Sequence, residues 1–394
     1  MKKVNTILLF AALFVTGSVG YCGSIDYPYE VGNWRGFRTA AVTYTFDDNT
    51  SKQLPVAIPI FNEFGFKATL YPVINWGPNW TGLQNAAAVG HEVGSHTVSH
   101  PNLGSLPIAD QNTQLLNSKN TINSYIPGQQ CLTLAYPYCV PSDLTLTSTY
   151  YIAARHCQGA IELNTPSNFY QISSIICGSA GSVNSTSAFI TKFTSAASSN
   201  GWCVFLLHGI DSDGGYSPLS STILRESLQY LDDRRGTFWE ETFLNVVRYI
   251  RERNAVSVTE TSNTGDTITL QVTDTLDNTI YNYPVTIRRP LPANWPSAVV
   301  TQNGEAVDTY VLMVNSVRYV MFDVVPDGGD VVLTKDLYGD FVVNGIVDFN
   351  DLGYFVGSWT TEDCNDTNGV ELNGDCIVNF YEFAVMSESW MQEP

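Results

Sequence analysis

The chain has 394 residues, 44% of them hydrophobic and 14% charged, and a formal net charge of −19. That length leaves room for two or three domains, and the composition is that of a globular chain rather than a disordered one. With 38 acidic against 19 basic side chains, it lacks the positive surface that nucleic-acid binding needs to neutralise phosphate.

The N-terminus, "MKKVNTILLFAALFVTGSVGYCG", has a basic start, a short apolar stretch and small residues at Ser18 and Gly20. It reads as a signal peptide over residues 1–20, so a secreted or extracellular protein is expected, one able to sit at a cell surface or in a complex. Its apolar stretch falls short of the ~20 residues of a spanning helix, and no later segment suggests a transmembrane helix. Eight cysteines in an exported chain are expected to pair. Cys364 and Cys376 are close enough in sequence for a local disulfide; the other pairings stay open. No C-x-x-C occurs, which disfavours a cysteine zinc knuckle.

Residues 24–254 alternate strand-like and helix-like patterns. "TAAVTYTF", "FKATLYPVI", "CLTLAYPY" and "WCVFLLHGI" read as strands. "SKQLPVAIPIFNEFG" and "TGLQNAAAVG" read as helices stopped by Gly65 and Gly90. "SPLSSTILRESLQYLDD" and "TFWEETFLNVVRYIRER" read as amphipathic helices capped by Ser217 and Thr237. The alternation predicts an α/β domain with a mostly parallel sheet or barrel. Residues 256–336 switch to period-two apolar alternation with Asn, Asp, Gly and Pro turns, which predicts a small antiparallel β-domain resembling a sandwich. Residues 337–394 hold an internal repeat: Ile346, Val347, Phe349 and Trp359 recur 31 positions later as Ile377, Val378, Phe380 and Trp390.

The chemistry concentrates in the α/β segment. "AVTYTFDDN" ends an apolar strand on Asp47 and Asp48, two like charges that are costly to bury without partners. Only five histidines occur, and His96 and His100 form H-x-x-x-H. On a helix beginning after Ser95 that spacing would put both rings on one face. Two imidazoles and a carboxylate make a three-ligand divalent-metal site with an open position. His208 closes a buried strand, where α/β folds place acids and bases. His91 and His156 read as structural or surface residues.

Thr45-Phe46-Asp47-Asp48, His96-Thr97-Val98-Ser99-His100, Ala135-Tyr136-Pro137-Tyr138 and Phe205-Leu206-Leu207-His208 appear in the order of a known motif series. The series resembles the NodB-homology polysaccharide deacetylases, carbohydrate esterase family 4, over roughly residues 38–254. The resemblance implies a distorted (β/α) barrel. It implies Asp47 as general base, Asp48, His96 and His100 as ligands of a divalent metal, most often Zn2+, the Tyr138 backbone N–H as oxyanion donor and His208 as general acid. An acetylated polysaccharide, N- or O-acetyl, would be the substrate. Two departures stand out: Asn49 follows the aspartates where a small residue is usual, and Ala135 occupies the place of the arginine that orients the base. Arg155 is one candidate to replace it in space. The D-x-x-x-W segment that supports the acid histidine in the family is not evident.

The tail repeat fits two EF-hand-like loops, each followed by an apolar helix. The first offers Asp340, Asn344, Asp348 and Asp351 with the Ile346 carbonyl; the second offers Glu371, Asn373, Asp375, Asn379 and Glu382 with the Ile377 carbonyl. Val342 stands at one ligand position of the first loop, and Cys376 at the turn position where glycine is usual. The pair resembles a type I dockerin over about residues 338–392, which implies Ca2+ and a cohesin-type protein partner. The competing readings are a catalytically impaired carbohydrate-binding protein on the same fold and a scaffold-docking component.

Overall fold

The computed structural model describes residues 23–342, 346–361, 370 and 377–391. Strand β1 (Glu30–Val31) precedes β2 (Ala40–Asp47), whose eight residues are all buried. After it come β3 (Thr69–Tyr71), β4 (Glu92–Val93), β5 (Thr133–Ala135), β6 (Ala153–His156), β7 (Ile172–Ser173), β8 (Ile175–Ile176), β9 (Trp202–Leu207) and β10 (Phe238–Glu240). Pairing is parallel throughout the ring from β2 to β3 and β4, and from β5 to β6 and β7. A parallel bridge from Ser95 to Leu134 links β4 to β5, and β8 pairs with β9, which returns to β2. The ring breaks stride at Ser174, between β7 and β8, whose amide still reaches the His156 carbonyl at 3.0 Å. The barrel therefore closes, with distortion.

Alternation along β2 sorts its side chains. Val42, Tyr44 and Phe46 point outward and join the core formed with Phe61, Phe189 and Phe205. Ala41, Thr43, Thr45 and Asp47 face the interior, so the last inward position of the strand is a carboxylate. Seven helices surround the barrel: α1 (Ile58–Glu63), α2 (Trp80–Ala88), α3 (Ile108–Tyr125), α4 (Leu144–Tyr150), α5 (Thr186–Ser198), α6 (Ser221–Asp232) and α7 (Phe243–Ala255).

Two expected helix starts lie elsewhere. Helix α6 is capped by Ser220, which accepts the Thr222 amide, while Ser217 donates to the Cys177 carbonyl. Helix α7 is capped by Thr242, because Phe238–Glu240 after Thr237 is drawn into pairing with the start of β2. Strong side-chain burial of aromatic residues overrides the helical pattern there. The expected helix after Ser95 does not form either: Thr97 and His100 have φ of 69° and 59°, so the two histidines sit on a loop.

Strands β11 (Ser257–Asn263), β12 (Thr267–Thr273), β13 (Val285–Pro290), β14 (Ser297–Gln302), β15 (Glu305–Ala306), β16 (Thr309–Val314), β17 (Val317–Val324) and β18 (Val331–Asp336) form two antiparallel sheets. One runs β11-β12-β18-β14-β15. The other runs β1-β13-β17-β16, so it takes in a strand from the N-terminal end of the chain. One apolar cluster joins Trp34, Trp202, Trp239 and Phe243 of the barrel to Val258, Ile287 and Phe322 of the sheets. Helix α7 lies at this seam, where its Glu252 is fully buried.

In the tail, α8 (Phe349–Gly357) and α9 (Phe380–Glu388) repeat each other's capping. Asp348 and Asn379 cap the helices, while Asp351 and Glu382 reach back to the cap amides of Asp348 and Asn379 at 2.8 and 2.9 Å. Such reciprocal pairs satisfy two orphan amides at each helix start. Phe349 packs on Trp390 and Phe380 on Trp359, both edge-on, with centroids 5.1 and 5.0 Å apart. Both the phenylalanines and the tryptophans are related by the 31-residue offset, so the two repeats swap aromatic partners.

Candidate active site

The turn after β2 is held from several sides. Asp48 and Asn49 have φ of 72° and 43°, a left-handed conformation that costs non-glycine residues about 1–2 kcal/mol each unless the surroundings fix it. Asn49 helps fix it: its Oδ1 accepts the Val73 amide at 2.9 Å. Gln53 Nε2 donates to the carbonyls of Asp47 and His208 at 2.5 and 3.0 Å, tying the ends of β2 and β9 together. The unusual asparagine is thus a structural brace.

The five histidines divide by environment. His91 accepts the Ala68 amide through Nδ1 and is pushed down to about 4, mainly by burial and then by Lys67. His156 Nε2 meets the Gln171 carbonyl at 2.9 Å. His96, His100 and His208 converge on Asp48. The Asp48 Oδ1 atom lies 3.5 Å from His96 Nε2 and 3.6 Å from His100 Nε2, and its Oδ2 lies 3.9 Å from His208 Nε2. His96 Nδ1 is 2.8 Å from the Ala135 carbonyl, an acceptor, so Nδ1 holds the proton and Nε2 presents its lone pair to Asp48.

Electrostatics explain why this cluster suits a cation. Burial, then the Asp47 charge, push the Asp48 carboxyl up to about 7, although Arg155 pulls the other way. Burial, then His100, hold His96 well below the usual histidine range, and burial lowers His100 too. Burial also brings His208 down to about 4 against the pull of Asp47. Neutral imidazoles and a carboxylate whose buried Oδ1 has no hydrogen-bond donor among the described residues make a donor set suited to a positive charge. One ligand atom from each of Asp48, His96 and His100 lies within 4.8 Å of the others. Two nitrogens and one oxygen gathered in this way fit a divalent cation.

Asp47 is 2% exposed, and its Oδ1 pairs with Arg155 Nη2. Its Oδ2 lies 3.6 Å from His96 Nε2. Arg155 is on β6, where it is the register partner of Ala135 on β5. The two strands run parallel, so an arginine at that register projects into the same interior as a side chain on Ala135 would. Arg155 also lies over the Tyr71 ring, 5.0 Å from its centroid. Around the mouth, Trp76 and Tyr138 flank His100 at 5.0 and 4.7 Å, and Tyr216 meets His208 edge-on at 5.0 Å. Tyr138 stands in a left-handed turn, Pro137–Cys139, immediately after β5.

Residues 36–153 match the family model described as polysaccharide deacetylase. A gellan lyase from Bacillus sp is 29% identical over 343 residues, 81% of this chain and 14% of that protein. A chitooligosaccharide deacetylase from Sinorhizobium fredii is 28% identical over 127 residues, 32% of this chain and 59% of that protein. The chain thus spans less than two thirds of both curated relatives. Among solved structures, a peptidoglycan deacetylase from Bacillus subtilis superposes with a TM-score of 0.39 at 18% identity, covering 54% of this chain and 93% of that one. A family 4 carbohydrate esterase from Streptomyces lividans, in complex with acetate, gives 0.38 at 17% identity, covering 50% and 89%.

Six of the residues singled out in the sequence meet at this mouth: Asp47, Asp48, His96, His100, His208 and Tyr138. Arg155, Asn49 and Gln53 act beside them. No motif marks Gln53; only its place just after the aspartates hints at a role. The pairing expected of exported thiols occurs once among the described residues, between Cys139 and Cys157. Cys131, Cys177 and Cys203 are buried apart as thiols. The proposed calcium ligands lie in the separate tail, where Asp348, Asp351, Asn379 and Glu382 serve as helix caps and Asp340 is buried. Asn344, Glu371, Asn373 and Asp375, the Cys364–Cys376 pair, and the signal peptide with Cys22 lie outside the described residues.

Proposed function

We propose that the chain is a secreted, metal-dependent hydrolase that removes acetyl groups from a polysaccharide. The observation that carries the reading is the Arg155–Asp47 pair set against the Asp48–His96–His100 cluster. It leaves one carboxylate to accept a proton and a second to bind a cation. Asp48, His96 and His100 would hold the ion, proposed as Zn2+. When bound, the ion would supply Lewis acidity toward the acetyl carbonyl and lower the pKa of water to about 7.

The chain's own residues would do the rest. Asp47 Oδ2, the oxygen not engaged by Arg155, takes the proton of the attacking water. Arg155 keeps that carboxylate pointed at the centre. The Tyr138 N–H stabilises the developing oxyanion. His208 Nε2, across Asp48 from the base, hands a proton to the departing amine or alkoxide as the tetrahedral intermediate collapses. Burial favours the neutral His208 ring at rest, so it takes up the proton it donates as negative charge develops beside it, from solvent or from the proton that Asp47 removed from the water. Trp76, Tyr138 and Tyr216 line the mouth with flat apolar faces suited to sugar rings. The impaired-binding-protein reading draws on Ala135; Arg155 removes that ground.

The test is acetate release from a panel of N- and O-acetylated glycans, with zinc added to metal-free protein. No release from any member would defeat the reading.

For the tail we propose a calcium-stabilised docking module that binds a cohesin-type partner. Its support is the swapped aromatic pairing and the matched capping of the two repeats. Calorimetric titration with Ca2+ tests it, and the absence of a binding heat in the intact chain would sink it.

A further inference from the structure

The Cys139–Cys157 disulfide joins two pieces of the site that secondary structure links only briefly. Cys139 directly follows Tyr138, and Cys157 lies two residues after Arg155. Strands β5 and β6 pair over just three residues, ending at Ala135 and Arg155. Beyond that end, the chain keeps one further hydrogen bond across, from the Tyr136 amide to the Arg155 carbonyl at 3.1 Å.

The backbone then enters a turn that resists its own conformation. Tyr138 and Cys139 have φ of 55° and 60° in succession, and neither is glycine. A left-handed backbone costs such residues about 1–2 kcal/mol each, so it persists only where the surroundings over-determine it. Two local hydrogen bonds hold the turn, Cys139 N to Tyr136 O at 3.0 Å and Val140 N to Pro137 O at 3.2 Å. Tyr138 itself is 64% exposed, with its ring against His100 at 4.7 Å, so packing restrains its side chain on one side only. The covalent bond adds a constraint that ties this turn to the end of β6.

We propose that Cys139 and Cys157 are positioning residues: their disulfide fixes the Tyr138 amide relative to Arg155, and through Arg155 relative to Asp47. The oxyanion donor and the support of the base then move as one body. The inference rests on the deacetylase reading. It differs from a merely stabilising cross-link in what it predicts. Closing an 18-residue separation contributes on the order of 3 kcal/mol to stability wherever it sits. A positioning bond instead acts on turnover, because a misplacement of about 1 Å can cost ~100-fold.

The test opens the bond in the folded, zinc-loaded protein with a water-soluble phosphine. The Sγ–Sγ bond breaks, two thiols form, and the phosphine becomes its oxide with oxygen from one water. The variant C139S/C157S is measured beside it. The expected result is a drop in kcat for acetate release of about 10-fold or more in both. KM and zinc affinity should stay within about two-fold, amide exchange at residues 136–140 should rise, and kcat should return on reoxidation. In C139S/C157S the phosphine should have no further effect, which separates this bond from the other cysteines. An unchanged kcat after opening overturns the proposal, as does an equal loss in kcat, KM and zinc affinity. If the intact protein releases no acetate from any glycan, the deacetylase reading fails, and exchange decides alone: unchanged exchange at Tyr138 then refutes the clamp.

Discussion

The barrel mouth and the seam beneath it each bring two carboxyl groups together, and they handle the charge in opposite ways. At the mouth, Asp47 is paired with Arg155, and Asp48 faces three imidazoles. At the seam, Glu252 of α7 meets Asp274, and the Tyr283 backbone amide beside it only partly offsets the burial of the carboxyl. Burial and then the contact with Asp274 push Glu252 up to about 9, so it keeps its proton and can donate it to Asp274. One region surrounds its acids with a guanidinium and imidazoles; the other removes charge by protonation. Adjacent carboxylates mark a reactive site only where ligands or cations gather around them.

The comparison breaks most visibly at Asp47. Replacing it with Asn keeps the shape but removes the proposed proton acceptor, and kcat for acetate release should fall by about 10²–10⁴. Retained activity in D47N would remove the base from the mechanism. Stripping the ion with a chelator should abolish release, and zinc should restore it. A His96→Ala variant should bind zinc weakly in a direct titration, since Asp48 and His100 alone leave two ligands.

Arg155→Ala should cost less than loss of the base, about 10–100-fold in kcat, because it leaves a buried carboxylate without its cation. Arg155→Lys should recover part of that loss. A sharper version moves the arginine back across the ladder: Ala135→Arg combined with Arg155→Ala should exceed Arg155→Ala alone. If it does not, the equivalence of the two register positions is wrong.

At the seam the effect is on stability and follows pH. Below about 4.5 the carboxyl is protonated whether folded or not, so burial there carries no ionisation cost. As pH rises toward about 9 the folded state retains a proton that the unfolded chain has released, so stability declines over that window. Glu252→Gln imitates the protonated acid without titrating. It should melt higher than wild type at pH 8, by about 2–4 °C for each kcal/mol relieved, and at the same temperature near pH 4. Equal melting temperatures at pH 8 would show that the seam pair carries no such cost. Smallest of all should be removal of residues 337–394: acetate release should change less than two-fold, while binding of a cohesin-type partner is lost.

The mouth is more legible in the sequence than the seam, for physical reasons. Histidines are scarce in this chain, so their spacing carries information, and a strand ending in two aspartates is conspicuous. What periodicity cannot supply is lateral register. Ala135 reads as a loss because its neighbour across β5 and β6 is set by strand pairing twenty residues away, not by local pattern. The same limit hides β10, whose aromatic residues sit in a helix-like rhythm but complete the edge of β2. It also misplaces His96 and His100 on a helix, when the left-handed turns at Thr97 and His100 are what aim both rings. The pairing of Cys139 with Cys157 depends on that register too.

The short strand β1 has a consequence for how the molecule is made. Glu30 pairs with Arg288 through both backbone and side chain, 258 residues away in sequence. A chain emerging N-terminus first exposes that strand, and Trp34 after it, long before their partners exist. The barrel can gather its own strands early, but its lower end stays unsealed until the last sheet arrives. Such distant closure slows folding and lengthens the interval in which apolar surface is bare. Cutting the gene near residue 254 to obtain a minimal enzyme would make that interval permanent.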